Sequence, residues 1–323
     1  MKLPRRKFLH LAAGAAALPS ASRWTWAQAY PTRPVRMIVP FPPGNAPDVV
    51  GRLTGQWLSE RLGQQVVVDN RPGAGSNIGT EAALKAPPDG YTLLMAVGTN
   101  ATNATLYHNL NFNFGRDIAP VASIALTANV MVVNPSVPAR TVPEFIAYAK
   151  SNPDKISMAS SGSGSAPHTS GELFKIMAGI NMLHVPYRAS AFPDLLSGQV
   201  QVYFSPIPAV IGYVKAGQLR ALGVTSAKRQ DTLPDVPAIG EFVTGYEANG
   251  WYGLVAPRNT PASIVDKLNT ETNVVIVNPN VRARLADLGA TVFASSPAEF
   301  GKFIAEEIEK WGRVIRTANI KPE

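Results

Sequence analysis

Apolar strand patterns alternate with amphipathic helix patterns along most of the chain. The apolar, β-branched run Val35–Val39 is typical of a buried strand, and similar runs predict strands at residues 65–69, 91–97, 121–126, 130–133, 156–159, 200–204, 219–224 and 251–255. Large apolar residues at helical spacing predict an amphipathic helix over Pro297–Thr317. This alternation favours an α/β fold over separate all-α and all-β blocks.

The first strand pattern runs into a loop rich in proline and glycine and then directly into a helix pattern. Asn45 is a suitable N-cap residue, Pro47 suits the first turn, and Asp48 can reach back in a capping box. The unpaired amides at such a helix start can hold a carboxylate without a cationic side chain. An ordinary strand-to-helix connection is the alternative interpretation of this segment taken alone.

Two more strand patterns end in small polar loops, at residues 98–102 (GTNAT) and 160–168 (SSGSGSAPH). In the second loop, Ser165 is the predicted N-cap and Pro167 the first-turn proline. Loops at the carboxyl ends of strands are where open α/β sheets bind ligands. The three loops together therefore predict one ligand site.

The first 29 residues have the pattern of an export signal. A basic start at residues 2–7 precedes an apolar stretch at residues 8–18 and an A-x-A cleavage site that ends at Ala29. The RRKFL run resembles a twin-arginine signal, and the apolar stretch is shorter than the roughly 20 residues that span a bilayer. We therefore expect cleavage after Ala29 and a soluble protein in the periplasm.

Charge and motifs exclude several function classes. The leader holds five basic and no acidic residues, so its removal lowers the formal net charge from +8 to +3. No basic run with interleaved aromatic residues follows, which argues against nucleic acid as a partner. The chain has no cysteine, its histidines lack metal-ligand spacing, and its GxGxxxG run departs from the dinucleotide fingerprint. We expect no cofactor and no metal.

Several fragments, in order, resemble the Bug family of periplasmic solute-binding receptors, which serve tripartite tricarboxylate transporters: YPTRPVRMIVPFPPGNAPDVVGRL, VVVDNRPGAGSNIGTEAALKAPPDGYTLLM, SSGSGSAPHTSGELFKIMAG, HVPYRAS and LVAPRNTP. The resemblance implies a two-domain, type II-like periplasmic binding protein with a ligand cleft between its domains. We assign residues 30–129 and 250–323 to domain 1 and residues 130–249 to domain 2. We expect a monomer that captures a small organic carboxylate and delivers it to the membrane subunits of such a transporter.

In that family, two loops from the two domains grip one carboxylate, largely through backbone amides and ordered waters. The resemblance places these loops at residues 41–48 and 160–168, with residues 98–100 lining the same cleft. From these loops the candidate ligand-binding residues are Phe41, Pro43, Gly44, Asn45, Asp48, Gly98, Thr99, Asn100, Ser160, Ser161, Ser165 and His168. Asp194, which follows the HVPY fragment, and Phe204 and Ser205, at the end of the strand VQVYF, are further candidates.

The chain departs from the family pattern at positions that bear on the ligand. Gly44 is followed by Asn45 where members usually carry a second glycine, and the match of Asp194 to the family's aspartate depends on where a gap is placed. Ser205 stands where many members carry aspartate. Because a buried amine needs a carboxylate partner, Ser205 favours a mono- or dicarboxylate, including aromatic acids, over an amino acid.

A periplasmic hydrolase that uses His168 and a serine of residues 160–165 is the alternative function. No G-x-S-x-G elbow accompanies these serines. The sequence therefore favours a receptor without catalytic residues.

Overall fold

The computed structural model describes residues 30–187 and 189–322, so the predicted export signal lies outside the described residues. The strands are β1 (Val35–Val39), β2 (Val66–Asn70), β3 (Thr92–Val97), β4 (Ile118–Thr127), β5 (Asn129–Val133), β6 (Ser157–Ser160), β7 (Leu183–Pro186), β8 (Val202–Pro206), β9 (Arg220–Val224), β10 (Gly250–Pro257) and β11 (Ala290–Val292). The helices are α1 (Ala46–Leu62), α2 (Asn77–Leu84), α3 (Gly98–Leu106), α4 (Val142–Ser151), α5 (Ala166–Ala178), α6 (Phe192–Ser197), α7 (Ile207–Lys215), α8 (Ala262–Val277), α9 (Pro279–Asp287) and α10 (Pro297–Thr317).

These strands form two sheets. The first has the order β11-β4-β10-β3-β1-β2, in which β1 pairs in parallel with β2 and β3, and β10 runs antiparallel to β3 and β4. The second has the order β7-β6-β8-β5-β9, in which β6 is parallel to β7 and β8, and β5 is antiparallel to β8 and β9. The chain changes sheet between Thr127 and Asn129 and returns at Gly250.

Local signals place most elements where the sequence predicts them. Strand β1 and helix α10 have the predicted bounds. Strands β4 and β10 extend one to three residues beyond their predicted ends, and two further predictions need correction. Strand β8 begins at Val202 because the Val200 amide is used to close the end of α6, donating to the Asp194 carbonyl. Residues 98–102 are the beginning of α3 and not a loop, because the helix starts directly after β3.

Apolar side chains fill both faces of the first sheet. One buried cluster packs β1, β3 and β10 against α1, α8 and α9. On the other face, a second cluster includes Leu94, Trp251 and Phe300 and continues into the second sheet through Phe174 and Phe204. The two sheets therefore share a continuous core on the side of α10. None of the helices within residues 30–187 and 189–322 combines the length and the apolar character that crossing a bilayer requires.

Candidate ligand-binding site

A cavity of about 450 Å³ is bounded by residues from both sheets. Its walls come from the starts of helices, from the segments that connect the sheets and from α10: Phe41, Asn45, Ala46, Pro47, Val97, Gly98, Thr99, Thr102, Thr127, Ser161, Gly164, Ala166, Thr169, Pro206, Asn249, Gly250, Trp251, Tyr252 and Trp311. A volume of this size is within the range that holds a small organic ligand.

Four helices begin at this cavity, and each follows the carboxyl end of a strand. The first residues of α1, α3 and α5 and the residue before α7 all line it. The first amides of a helix have no partner inside the helix and carry the positive end of its dipole. Within the described part of the chain, no charged side chain belongs to the lining. The cavity therefore offers an anion backbone amides and the positive ends of helix dipoles in place of cationic side chains.

The start of α1 is held by Asp48. Its Oδ2 accepts hydrogen bonds from the Gly44 amide at 2.9 Å and from Arg52 Nε at 3.0 Å, and its Oδ1 accepts from Asn70 Nδ2 at 2.8 Å. Burial raises the pKa of Asp48, but these hydrogen bonds outweigh it and hold the pKa below its usual range. Asn45 occupies the N-cap position without a side-chain cap. The predicted capping box is thus wrong in its partner, since the carboxylate reaches Gly44.

The start of α3 is held in a similar way by Asn100. Its Oδ1 accepts from the Val97 amide at 2.8 Å, and its Nδ2 donates to Thr80 Oγ1 at 2.8 Å. Both side-chain ends of Asn100 are therefore used inside the protein, and the residue is 2% exposed. Gly98, Thr99 and Thr102 are the residues of this segment that line the cavity.

The loop before α5 is closed by its own serines. Ser165 Oγ accepts from the His168 amide at 3.4 Å, as predicted for an N-cap, and donates to the Gly162 carbonyl at 2.7 Å. Ser160 Oγ is hydrogen-bonded to His184 Nε2 at 2.6 Å, and Ser160 is fully buried. Ser161, whose Oγ pairs with the Tyr203 hydroxyl, is the predicted serine that lines the cavity.

His168 lies on the other side of this loop. Its Nδ1 accepts from the Gly164 amide at 3.1 Å, and its Nε2 lies 3.6 Å from Glu172 Oε1. Its ring borders a separate cavity of about 770 Å³, together with Glu172, Lys175 and His184. The structure therefore brings His168 to the loop backbone and not to the lining of the 450 Å³ cavity.

Asp48, Asn100, Ser160 and Ser165 lie outside the lining like His168, and so do the five remaining predicted site residues. Asp194 accepts a hydrogen bond from the Tyr187 hydroxyl at 2.7 Å. Burial, and to a smaller extent this hydrogen bond, raises the pKa of Tyr187 to about 12. Phe204 is fully buried against Phe174. The remaining three are the buried Ser205, whose Oγ donates to the Pro206 carbonyl, and the exposed Pro43 and Gly44. The predicted residues that the structure brings together are Phe41, Asn45, Gly98, Thr99 and Ser161.

Sequence reasoning missed the wall formed by Thr127, Asn249, Gly250 and Tyr252, which lie where the chain passes between the sheets. The signal that could have found them is the predicted crossover itself, because a cleft between two domains is bordered by the segments that connect them. Burial raises the pKa of Tyr252 to about 12, so its phenol is neutral at physiological pH. It adds a polar but uncharged group to the wall.

The family model TctC, tripartite tricarboxylate transporter family receptor, matches residues 50–320 of this chain. The chain belongs to this family. Protein BugT of Bordetella pertussis is 36% identical over 302 residues, which cover 91% of this chain and 92% of BugT. The predicted resemblance to the Bug family is thereby confirmed.

Solved structures share the fold of this TctC-family chain. An R. palustris protein with adipate is 37% identical with a TM-score of 0.76, and the match covers 91% of this chain and 100% of that one. The periplasmic binding protein BugD is 32% identical with a TM-score of 0.73, and its match covers 91% of this chain and 100% of BugD. The predicted α/β fold of a two-domain periplasmic binding protein is confirmed.

Proposed function

We propose that this protein is a periplasmic receptor that captures a small organic mono- or dicarboxylate, including aromatic acids, and delivers it to the membrane subunits of a tripartite tricarboxylate transporter. The observation that carries this proposal is the convergence of four helix starts on a cavity without charged side chains in the described residues. Such amides favour an anion without an ion pair. The adipate in the R. palustris relative belongs to the same ligand class.

The ligand is proposed to lie between two domains, residues 30–129 with 250–323 and residues 130–249. The carboxylate meets the amides at the start of α1 on one side and those of the 160–168 loop on the other. The apolar body of the ligand packs on Phe41, Pro47 and Trp311, which belong to the same cavity wall.

The protein is further proposed to be a monomer without catalytic activity, exported by a twin-arginine signal that is cleaved after Ala29. The hydrolase alternative has less support, because Nδ1 of His168 is bonded to the Gly164 amide and Ser160 is fully buried. Neither group is placed to act on a molecule in the 450 Å³ cavity.

Thermal-shift screening of the purified mature protein against mono-, di- and tricarboxylates tests the receptor function. A ligand present at 100 times its dissociation constant adds about 2.7 kcal/mol to the free energy of unfolding. We expect at least one carboxylate to raise the melting temperature and to be recovered unchanged. Failure of every carboxylate, or catalytic turnover of a carboxylic ester, would contradict the proposal.

A further inference from the structure

The indole Nε1 of Trp251 is a buried hydrogen-bond donor with no partner among the described residues. Trp251 is 1% exposed. A buried tryptophan N–H normally has an acceptor, because its desolvation is otherwise uncompensated. This donor therefore lacks a compensating acceptor within residues 30–187 and 189–322.

The N–H lies directly behind the wall of the ligand cavity. Trp251 is part of that wall, and a Cβ added to Gly98 would be 3.6 Å from Nε1 and 3.9 Å from the Cα of Gly250. Both neighbours are glycines, so neither places a side chain between the ring edge and the cavity. Because α3 starts at Gly98, its first amides point to the same place.

The indole ring cannot easily turn to find another acceptor. It packs edge-on against Phe300 and Phe303 of α10, with ring centroids 5.7 Å and 5.8 Å away. The second tryptophan of the wall differs, since Trp311 Nε1 donates to Glu307 Oε2 at 2.8 Å. The two tryptophans thus have different roles, and Trp251 holds a fixed donor that no acceptor in the described part of the chain uses.

We propose that Trp251 is a specificity-determining residue, whose indole N–H donates to a second oxygen acceptor on the bound carboxylate. The inference rests on the proposed function, in which the starts of α1 and α5 hold the first carboxylate. A small shift of the backbone at Gly98, where α3 begins, and at Gly250, where the chain returns to the first sheet, opens the N–H to the ligand. A ligand without the second oxygen leaves this donor unpaired and binds more weakly.

Adipate and hexanoate form a matched pair, because both have six carbons and hexanoate lacks the second carboxylate. We expect the native protein to bind adipate at least about tenfold more tightly, measured by calorimetry. Trp251→Phe should raise the dissociation constant for adipate about tenfold and change that for hexanoate little. Gly98→Ala, whose new methyl covers Nε1 in ordinary van der Waals contact, should act in the same direction. Trp57→Phe, on α1 outside this cavity, is the control and should leave the ratio unchanged.

Nitrogen-15 labelling of the indoles reports the hydrogen bond directly. The Trp251 signal, assigned by its loss in Trp251→Phe, should move downfield with saturating adipate and stay in place with hexanoate. Equal binding of the two acids with no movement of the signal would overturn the role of Trp251 and leave the receptor function standing. If neither these acids nor any carboxylate of the screen binds, the receptor function itself fails and this inference with it.

Discussion

The imidazole rings of His168 and His184 stack face to face, with centroids 3.5 Å apart and 7° between their planes. Each ring is tied to the 160–168 loop, His168 through the Gly164 amide and His184 through Ser160 Oγ. Because His168 Nδ1 accepts a hydrogen bond, the ring proton lies on Nε2, on the side of Glu172. The histidine pair therefore acts as a support that holds the loop backbone in place.

Replacing His168 tests this support. His168→Leu removes the acceptor for the Gly164 amide, and an unsatisfied buried amide costs about 1–3 kcal/mol. We expect a lower urea midpoint and weaker carboxylate binding, because the neighbouring amides then lose their fixed positions. His168→Asn keeps an oxygen acceptor near the Nδ1 position and should recover part of both losses. Equal behaviour of the two variants would show that the stacked ring, and not the acceptor, holds the loop.

Asp48 makes the stability of the α1 start depend on pH. Its pKa is lower in the folded protein than in the unfolded chain, so its contribution is complete above the unfolded value of about 3.9 and is lost as the pH falls through the folded value. Asp48→Asn should cost about 1–3 kcal/mol at pH 7. We expect this difference from the native protein to shrink below about pH 4, as measured by urea unfolding across the range. A difference independent of pH would mean that the charge of Asp48 is not what stabilises the loop.

Local signals in the sequence predict the elements and the helix starts, but not which partner each polar side chain takes. Asp48 is a capping residue by type, yet its carboxylate is also bound by Asn70, 22 residues away on β2. His168 is in a helix start beside a ligand loop, yet its orientation depends on the stack with His184. These partners come from sheet order and register, which no local pattern contains.

Trp251 illustrates the same limit. For an aromatic residue in an apolar strand, the sequence alone does not distinguish a place in the core from a place in the wall of a ligand site. Strand β10 lies between β3 and β4, opposite Leu126, and this register brings the indole to the start of α3. The ring is core on the side of Phe300 and cavity wall at its edge. Only the position of the strand in the sheet decides this.

Two glycines form a matched test of packing. A Cβ at Gly253 on β10 would collide with Phe300 and lie 2.8 Å from the Ala122 carbonyl oxygen, whereas no atom of the described residues lies within 4 Å of a Cβ at Gly212 on α7. Gly253→Ala should destabilise the protein by about 1–3 kcal/mol. Gly212→Ala should stabilise it by up to about 1 kcal/mol through helix propensity. Chemical unfolding of both variants measures the difference, and similar midpoints would contradict the packing of β10 against α10.

Because the cavity lining contains no charged side chain among residues 30–187 and 189–322, we expect that no single cation is essential for binding. Replacing any one Lys or Arg of the described residues by Gln should leave carboxylate affinity within about tenfold, or about 1.4 kcal/mol. Lys175 and Arg71 are suitable first choices, since neither lines the cavity. Calorimetric titration measures the change. One basic residue whose removal abolishes binding would show that a side chain, and not the helix amides, holds the anion.

We expect the two proposed domains to close when a ligand binds. The loops before α1 and α5 belong to different sheets, so each alone leaves part of a bound carboxylate in water, and binding should draw them together. Small-angle scattering should show a smaller radius of gyration with ligand. Gly44 has φ of +83°, a conformation that strains any L-side chain, so Gly44→Val should distort the first loop and reduce the compaction. An unchanged radius in a sample that starts free of ligand and ends saturated would place the whole site within one domain.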